Sequence, residues 1–538
     1  MAQYQKLVDI SPAKPEIYWY LSECYQKLNL RDEAFNVLQE GIKHHPQDGN
    51  LHFTLIIGLR RSGRTQEAIN NAEIAANFLP DDYTFKLLKH LTVPTIYDNQ
   101  KEIGFYRSRY TQGLQNLIQE TLLETEAQRK NALAGIGRLT NFYLSYQAQN
   151  DVDLQRQYGQ LIHEIMKANY PQWAKPLSTD KLKTDSKIRI GYISSYLYCY
   201  SGTLWLTGWL RQHNHDNFEI HCYYTGNEPD AITQEFQKYS DIFHHIPYNL
   251  EATCQQIIDD KLDILVYPEI GMNAPTMQMA ALRLAPVQCT AWGHPVTTGL
   301  PTIDYFLSSE LMEAENAQQH YSEKLIRLPN IGVAYPKPYI PSPSKTRSDY
   351  QLPEDAVIYL CCQAPFKYLP QYDFIFPEIA LQVPKAKFLF LRGELLQKRL
   401  KRAFDVANLD YQDYCLFRTI PERLDYLMIN LLSDVYLDTI TWSGGNTSLE
   451  AIACNLPIVT CTGEFMRGRH SDSFLKMLGV TDTIAMNEGE YIEIAVKLGM
   501  ETNWRNLISQ RMSDSHSNLY DDKDCVVGLE EFYKQVVE

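Results

Sequence analysis

No stretch of this 538-residue chain approaches the roughly twenty apolar residues that a bilayer-spanning helix requires. The first residues, MAQYQKLVDI, have neither a basic start nor an apolar segment, so no secretory signal is expected. Positive charge is also short: 50 Lys and Arg stand against 65 Asp and Glu, a net charge of −15. Duplex nucleic-acid binding needs a net basic face and is not expected, although a local basic pocket for a nucleotide is left open. The 11 cysteines include no Cys-x-x-Cys pair and no His/Cys group at zinc spacing. Free thiols in a reducing, cytoplasmic setting are expected. What is present is 44% hydrophobic and 21% charged residues, enough apolar mass for several globular cores, and a length that suggests three or four domains.

The amino-terminal part repeats. Pro12, Pro46 and Pro80 are evenly spaced, and aligning Ala13–Pro46 on Gln47–Pro80 superposes Trp19 on Phe53, Leu21 on Leu55, Glu33 on Glu67 and Ala34 on Ala68. A helix hairpin recurring every ~34 residues, with small residues at the helix crossings, is the tetratricopeptide pattern. An α-helical solenoid is therefore expected over residues 1–80, with Met1–Pro12 as the tail of an earlier repeat. Such an array is a scaffold or a groove for an extended protein segment, or a mere helical spacer. Residues 81–186 read as further helix, without that period, ending in the polar linker Lys175–Ser186.

Strand and helix patterns then alternate, which predicts doubly wound α/β lobes. The first lobe is expected over 187–345, with strands at Lys187–Ser195, Phe218–Gly226, Ile264–Pro268, Val287–Trp292 and Tyr305–Ser308. The second is expected over 346–538, with strands at Val357–Cys362, Lys387–Arg392, Cys415–Ile420, Val435–Asp438 and Pro457–Cys461. Pro336–Pro343 separates the two, and the helical segment Glu488–Glu538 is placed to brace the first lobe. Two such sheets face one another across a cleft lined by strand ends, where ligands bind.

The chemistry concentrates in Ser433–His470. After a short strand, Trp442-Ser443-Gly444-Gly445-Asn446-Thr447 leads straight into a helix. Unpaired N–H groups and the positive end of the helix dipole make that turn a phosphate site, or simply a capped helix start. Glu450, about one turn inside, can accept ribose or sugar hydroxyls. Lys367 follows the strand Tyr359–Cys362 and Gln363, at the same edge of the second lobe. It is placed to meet a diphosphate and neutralise a leaving phosphate, or it is a solvated surface lysine. In the first lobe, the loop after Val287–Trp292 holds His294 and Pro295 between glycines; His294 is a ligand to sugar or phosphate, or a structural histidine. Glu269 is a hydroxyl-binding carboxylate or a base, or an exposed loop carboxylate. Arg467 and Arg469 support the phosphate site or pair with Glu464 or Asp472.

Four blocks carry a resemblance: ALRLAPVQCTAWGHPVTTGLPTIDY (Ala281–Tyr305), QHYSEKLIRLPN (Gln319–Asn330), Phe366-Lys367 with Pro370, and SDVYLDT…GGNTSLEA (Ser433–Ala451). Together, and following a tetratricopeptide array, they resemble the O-linked N-acetylglucosamine transferase family, glycosyltransferase family 41, in its bacterial SPINDLY-like branch. The resemblance implies a two-lobed GT-B fold and an inverting, metal-independent glycosyltransferase. The donor would be a UDP-sugar, typically UDP-GlcNAc, and the acceptor Ser or Thr of proteins. It assigns the donor diphosphate to Lys367 and to the helix start Gly444–Thr447, and places His294 and Pro295 on the sugar side. The chain departs from the family in four places, one of them the missing long insertion that animal members carry between the lobes. No histidine occurs in Ser195–Gly202, where Tyr200 stands instead; Asn446 replaces the first of two threonines; and a uracil-side histidine near Asp425–Tyr426 is missing. Proton removal from the acceptor is then left to Tyr200, Glu269 or a water chain. An Asn- or glycan-directed transferase and an inactive scaffold remain as alternatives, and the oligomeric state is open.

Overall fold

The computed structural model describes residues 14–177 and 187–538. The predicted tail Met1–Pro12 and most of the predicted linker, residues 178–186, lie outside them. The chain divides into two compact units. One reaches Leu144 and adds Leu161–Pro171; the other comprises Ser145–Gln160 and Gln172–Glu538.

The first unit is helical. Helices Pro15–Lys27 and Arg31–His44 form one hairpin, and Gly49–Arg61 and Thr65–Phe78 form the next. The first helices of successive hairpins begin at Pro15, Gly49 and Tyr83, with the same spacing as the three prolines. Asp48 and Asp82, at equivalent positions, each cap a helix through a side-chain bond to a backbone N–H, a common way to satisfy the first turn. The helix phase thus persists one element beyond Pro80, where the sequence period fades. Phe85 and Leu88 of helix Tyr83–Leu91 complete a core built by Tyr18, Leu38, Leu55, Ala68 and Ala72. Gly41 marks a close crossing: a Cβ there would fall 2.8 Å from the Cβ of Tyr18.

The second unit contains two parallel sheets. In the first, β1 (Ile188–Ser194), β2 (Phe218–Tyr224), β3 (Ile242–His245), β4 (Ile264–Tyr267), β5 (Val287–Thr290), β6 (Tyr305–Ser309) and β7 (Lys324–Leu328) lie in the order β3-β2-β1-β4-β5-β6-β7. In the second, β8 (Val357–Cys361), β9 (Ala386–Leu391), β10 (Cys415–Arg418), β11 (Val435–Leu437), β12 (Ile458–Cys461) and β13 (Ile484–Ala485) lie in the order β10-β9-β8-β11-β12-β13. Every pairing in both sheets is parallel. These are two Rossmann-like lobes, the GT-B architecture.

Central strands such as β4 and β12 are buried throughout, as expected when helices cover both faces. Three strands escape the sequence reading. β3 and β13 are short edge strands, and β3 is half exposed with two histidines. β7, Lys-Leu-Ile-Arg-Leu, alternates charge with apolar residues. All three lack the buried apolar run that marks a central strand.

In each sheet the strand order reverses between two neighbours, β1 and β4 in the first and β8 and β11 in the second. Loops leaving such a pair diverge and open a crevice. The final helix, Asp524–Val537, returns to the first lobe. The Tyr533 and Tyr192 hydroxyls meet at 3.0 Å, and Glu530 pairs with His213 at 3.2 Å.

Candidate active site

The second crevice brings together Gln363, Lys367 and the glycine turn, three of the features that the sequence singles out. Gln363 and Lys367 leave β8, and the glycine turn leaves β11. The Lys367 ammonium donates to Gln363 Oε1 at 2.7 Å and to the Ser443 carbonyl oxygen at 3.2 Å. Gln363 Nε2 donates to Thr447 Oγ1 at 2.8 Å and to the Tyr436 hydroxyl. The lysine is half-buried, and burial pushes its pKa down to about 8 against the opposing pull of Asp438.

Asp438 fixes the shape of the turn. Its carboxylate accepts from Ser443 Oγ at 2.5 Å, from the Gly444 N–H at 2.8 Å and from Thr460 Oγ1 at 2.9 Å. Ser443, Ser471 and Ser448 continue the chain of hydroxyls beneath the glycines. The helix Asn446–Ala453 starts directly on Gly445 and has no side-chain cap. Asn446 lies at its first position, nearly buried, with a carboxamide oxygen that has no hydrogen-bond partner. A Cβ on Gly444 would fall 2.3 Å from Ser448 Oγ and 2.5 Å from the Tyr436 hydroxyl. No side chain caps the helix start, so its first N–H groups are left to an anion or to water.

Glu450 is buried and its carboxylate lies 2.6 Å from the Arg423 guanidinium. Burial raises its pKa while Arg423 opposes the rise. Arg469 donates to the carbonyl oxygen of Gly463, within its own loop, at 3.0 Å. Arg467 takes neither Glu464 nor Asp472, the two partners read from the sequence. It is buried against Asp151 at 3.3 Å and donates to the Gln149 carbonyl oxygen at 2.7 Å. Asp151 lies 316 residues away in the chain, beyond any local reading of the loop. Asp472 is instead 2.9 Å from Lys476, one helical turn on.

The first crevice holds Glu269, two residues past β4, opposite the end of β1. It is fully buried and not an exposed loop carboxylate. One oxygen accepts from Ser194 Oγ at 2.7 Å; the other has no partner. Burial pushes its pKa up to about 8, so it carries a proton at neutral pH. Tyr200 stacks on Tyr196 with ring centroids 4.4 Å apart. Burial, and then the proximity of Glu269, raise its pKa further, away from the range useful to a base.

The lobes meet at aromatic side chains. Trp292 of the first lobe lies where a Cβ on Gly445 would come within 3.2 Å, and its ring is 5.2 Å from that of His470. His294 is buried, 6.0 Å from the Trp442 ring; burial, with Arg467 nearby, lowers its pKa to about 3. Pro295 lines a small cavity with Asp151, Thr297, Tyr321 and Arg467. Tyr146 stacks on Trp442 at 3.9 Å and meets Phe366 edge-on at 4.4 Å, flanking both turns. The sequence reading gives no role to Asp438, Tyr146, Trp292, Arg423 or His470. Only Asp438 has a local signal: an acidic residue at a strand end, just before a Ser-Gly-Gly turn.

The chain is similar to proteins of known class. It is 28% identical over 385 residues to a Solanum lycopersicum protein named "Probable UDP-N-acetylglucosamine--peptide N-acetylglucosaminyltransferase SPINDLY", a match covering 68% of this chain and 40% of that protein. It is 26% identical over 358 residues to the Arabidopsis thaliana protein of the same description named SEC, covering 64% of this chain and 37% of that one. The chain thus matches less than half the length of these curated relatives. Its fold matches the solved structure of a mutant of Thermobaculum terrenum O-GlcNAc transferase with a TM-score of 0.69, over 97% of both chains at 20% identity. The family model for glycosyl transferase family 41 matches residues 147–333 and 340–529, most of both lobes, and the chain belongs to that family.

Proposed function

We propose that this chain transfers a sugar, GlcNAc, from UDP-GlcNAc to Ser or Thr hydroxyls of proteins, with inversion and without a catalytic metal. Membership of the family and the names of its relatives support the donor and the class of acceptor. The observation that carries the reading is the position of Lys367 beside an uncapped helix start at the β8/β11 crevice.

In this reading the diphosphate lies between the Lys367 ammonium and the N–H groups at Gly445–Thr447. Both groups stabilise charge that grows on the β-phosphate as the glycosidic bond breaks. Gln363 orients the lysine and Thr447, and Asp438 holds the turn in shape. Glu450, with Arg423, serves the nucleoside side, and Arg469 holds the neighbouring loop. His294 and Pro295 border the sugar, and burial keeps His294 neutral so that it can accept as well as donate a hydrogen bond. The acceptor hydroxyl attacks the anomeric carbon from the first lobe. Its proton passes to Glu269, through Ser194 or water, once Glu269 has itself ionised. Tyr200 bounds this site as a stacked ring and is not the base. The repeats present the acceptor protein.

The test is transfer from UDP-GlcNAc to a panel of Ser- and Thr-containing proteins, read by mass spectrometry with site mapping. Modification on hydroxyl residues, unchanged by added Mg²⁺ or EDTA well below the unfolding temperature, is expected. Modification confined to Asn or to glycans, or a requirement for Mg²⁺, would overturn it.

A further inference from the structure

On the flank of the first lobe, three side chains converge that serve neither crevice. His221 lies on β2 and His244 on the edge strand β3. Asp260 ends the helix Leu250–Asp260. Tyr223 and His244 are paired residues across the two strands, and alternation puts His221 on the same face as Tyr223. We propose that His221, His244 and Asp260 bind one divalent transition-metal ion, zinc by ligand chemistry, which ties β3 and the helix Leu250–Asp260 to β2.

The geometry is that of a ligand set. Nδ1 of His221 lies 3.6 Å and Nε2 of His244 lies 3.0 Å from Oδ2 of Asp260, and the three donor atoms all lie within 4.8 Å of one another. Ligands at about 2.1 Å from a tetrahedral zinc are roughly 3.4 Å apart. His221 Nδ1 and His244 Nε2 are both buried and make no well-formed hydrogen bond; the Asp260 carboxylate is their neighbour in each case. The His221 side chain is only 3% exposed. A buried ring nitrogen without a well-formed hydrogen bond is costly, and a metal would satisfy both nitrogens and the carboxylate at once.

The surroundings set the protonation that a metal needs. Glu219 Oε1 lies 2.8 Å from His221 Nε2. A carboxylate only accepts, so Nε2 carries the proton and Nδ1 turns its lone pair to the cluster. This carboxylate–histidine pairing is the usual outer support of a ligating imidazole. Gln256 and the Tyr223 hydroxyl hold the two oxygens of Asp260 at 2.9 and 2.5 Å. The Arg189 guanidinium, 3.6 Å from Glu219, balances that carboxylate. His244 and Asp260 keep 23% and 14% of their side-chain surface exposed, which leaves the fourth position to water. Two imidazoles and one carboxylate favour zinc over magnesium or calcium, which prefer all-oxygen sites.

The test uses the full chain, stripped with chelator and then titrated with Zn²⁺ alone by calorimetry. Thermal unfolding is followed in parallel. One tight equivalent and a rise in Tm of roughly 5 °C at saturation are expected, with no effect of Mg²⁺. His244→Ala removes a ligand from an edge strand, and Asp260→Asn keeps the shape and the Tyr223 contact. Each should lose the tight equivalent and the Tm rise while remaining folded by circular dichroism. Co²⁺ should give the intense visible bands of a four-coordinate ion in the parent chain alone. Absence of tight binding by the parent chain, or equal Zn²⁺ stoichiometry and affinity in parent and both variants, would overturn the proposal.

Discussion

Two desolvated groups with opposite shifts set the pH behaviour. Lys367 is pushed down to about 8, so its charged form, the one a diphosphate needs, is lost as pH rises through 8. Affinity for UDP should fall above that point, and binding near pH 8 should take up protons, measurable by calorimetry in buffers of different ionisation enthalpy. Glu269 is pushed up to about 8, so a base role requires turnover to rise towards 8. Together they predict a bell-shaped profile of kcat/KM with its maximum near 8, whose rising limb disappears in Glu269→Gln. The stability sign is separate. Between the usual carboxylate range and 8, the folded state holds a proton that the unfolded state has released, so this contribution falls as pH rises, by up to about 1.4 kcal/mol per pH unit. Glu269→Gln stays neutral and should gain on the parent chain across pH 5 to 8 in denaturant titrations. A constant difference over that range would show that Glu269 ionises normally.

At the scale of elements, the glycine turn is the part built with least tolerance. A methyl group on Gly444 meets Ser448 Oγ, the Tyr436 hydroxyl and Gln363 Nε2, all within 2.7 Å. Gly444→Ala should therefore open the turn and weaken UDP binding by at least about tenfold, roughly 1.4 kcal/mol, while the lobes stay folded. The sequence already pointed to this turn, because glycines between a buried strand and a helix leave few alternatives to a tight βα connection. It also pointed to Gln363 and Lys367, which follow the neighbouring strand end. Arg467 and Glu450 were not legible in the same way, because their partners, Asp151 and Arg423, come from other elements. Glu269 was found by its place at a strand end, but nothing local revealed its complete burial, which depends on the packing of the Ser194 and Tyr200 segments around it. The strand β3 is not legible in the sequence for the reason that makes it an edge: a half-exposed, polar strand carries no apolar run.

For the whole molecule, a helical array is followed by two Rossmann-like lobes, and the division of labour proposed is acceptor first, donor second. Gly41→Val forces a side chain into Tyr18 and Leu51 and should destabilise the first hairpins by about 1–3 kcal/mol. Modification of protein acceptors should then fall while UDP affinity stays within twofold, with both assays run on the same preparation. Equal losses in both would end the separation of roles. Whether a diphosphate is held between an ammonium and a helix start is decided by calorimetric titration of UDP into the parent chain and Lys367→Ala. Micromolar binding by the parent is expected. The variant should lose at least about a hundredfold, roughly 2.7 kcal/mol, with a Tm no lower, since a partly desolvated lysine contributes little to folding. Equal affinity in the two chains, or no better than millimolar affinity in the parent, would contradict that arrangement.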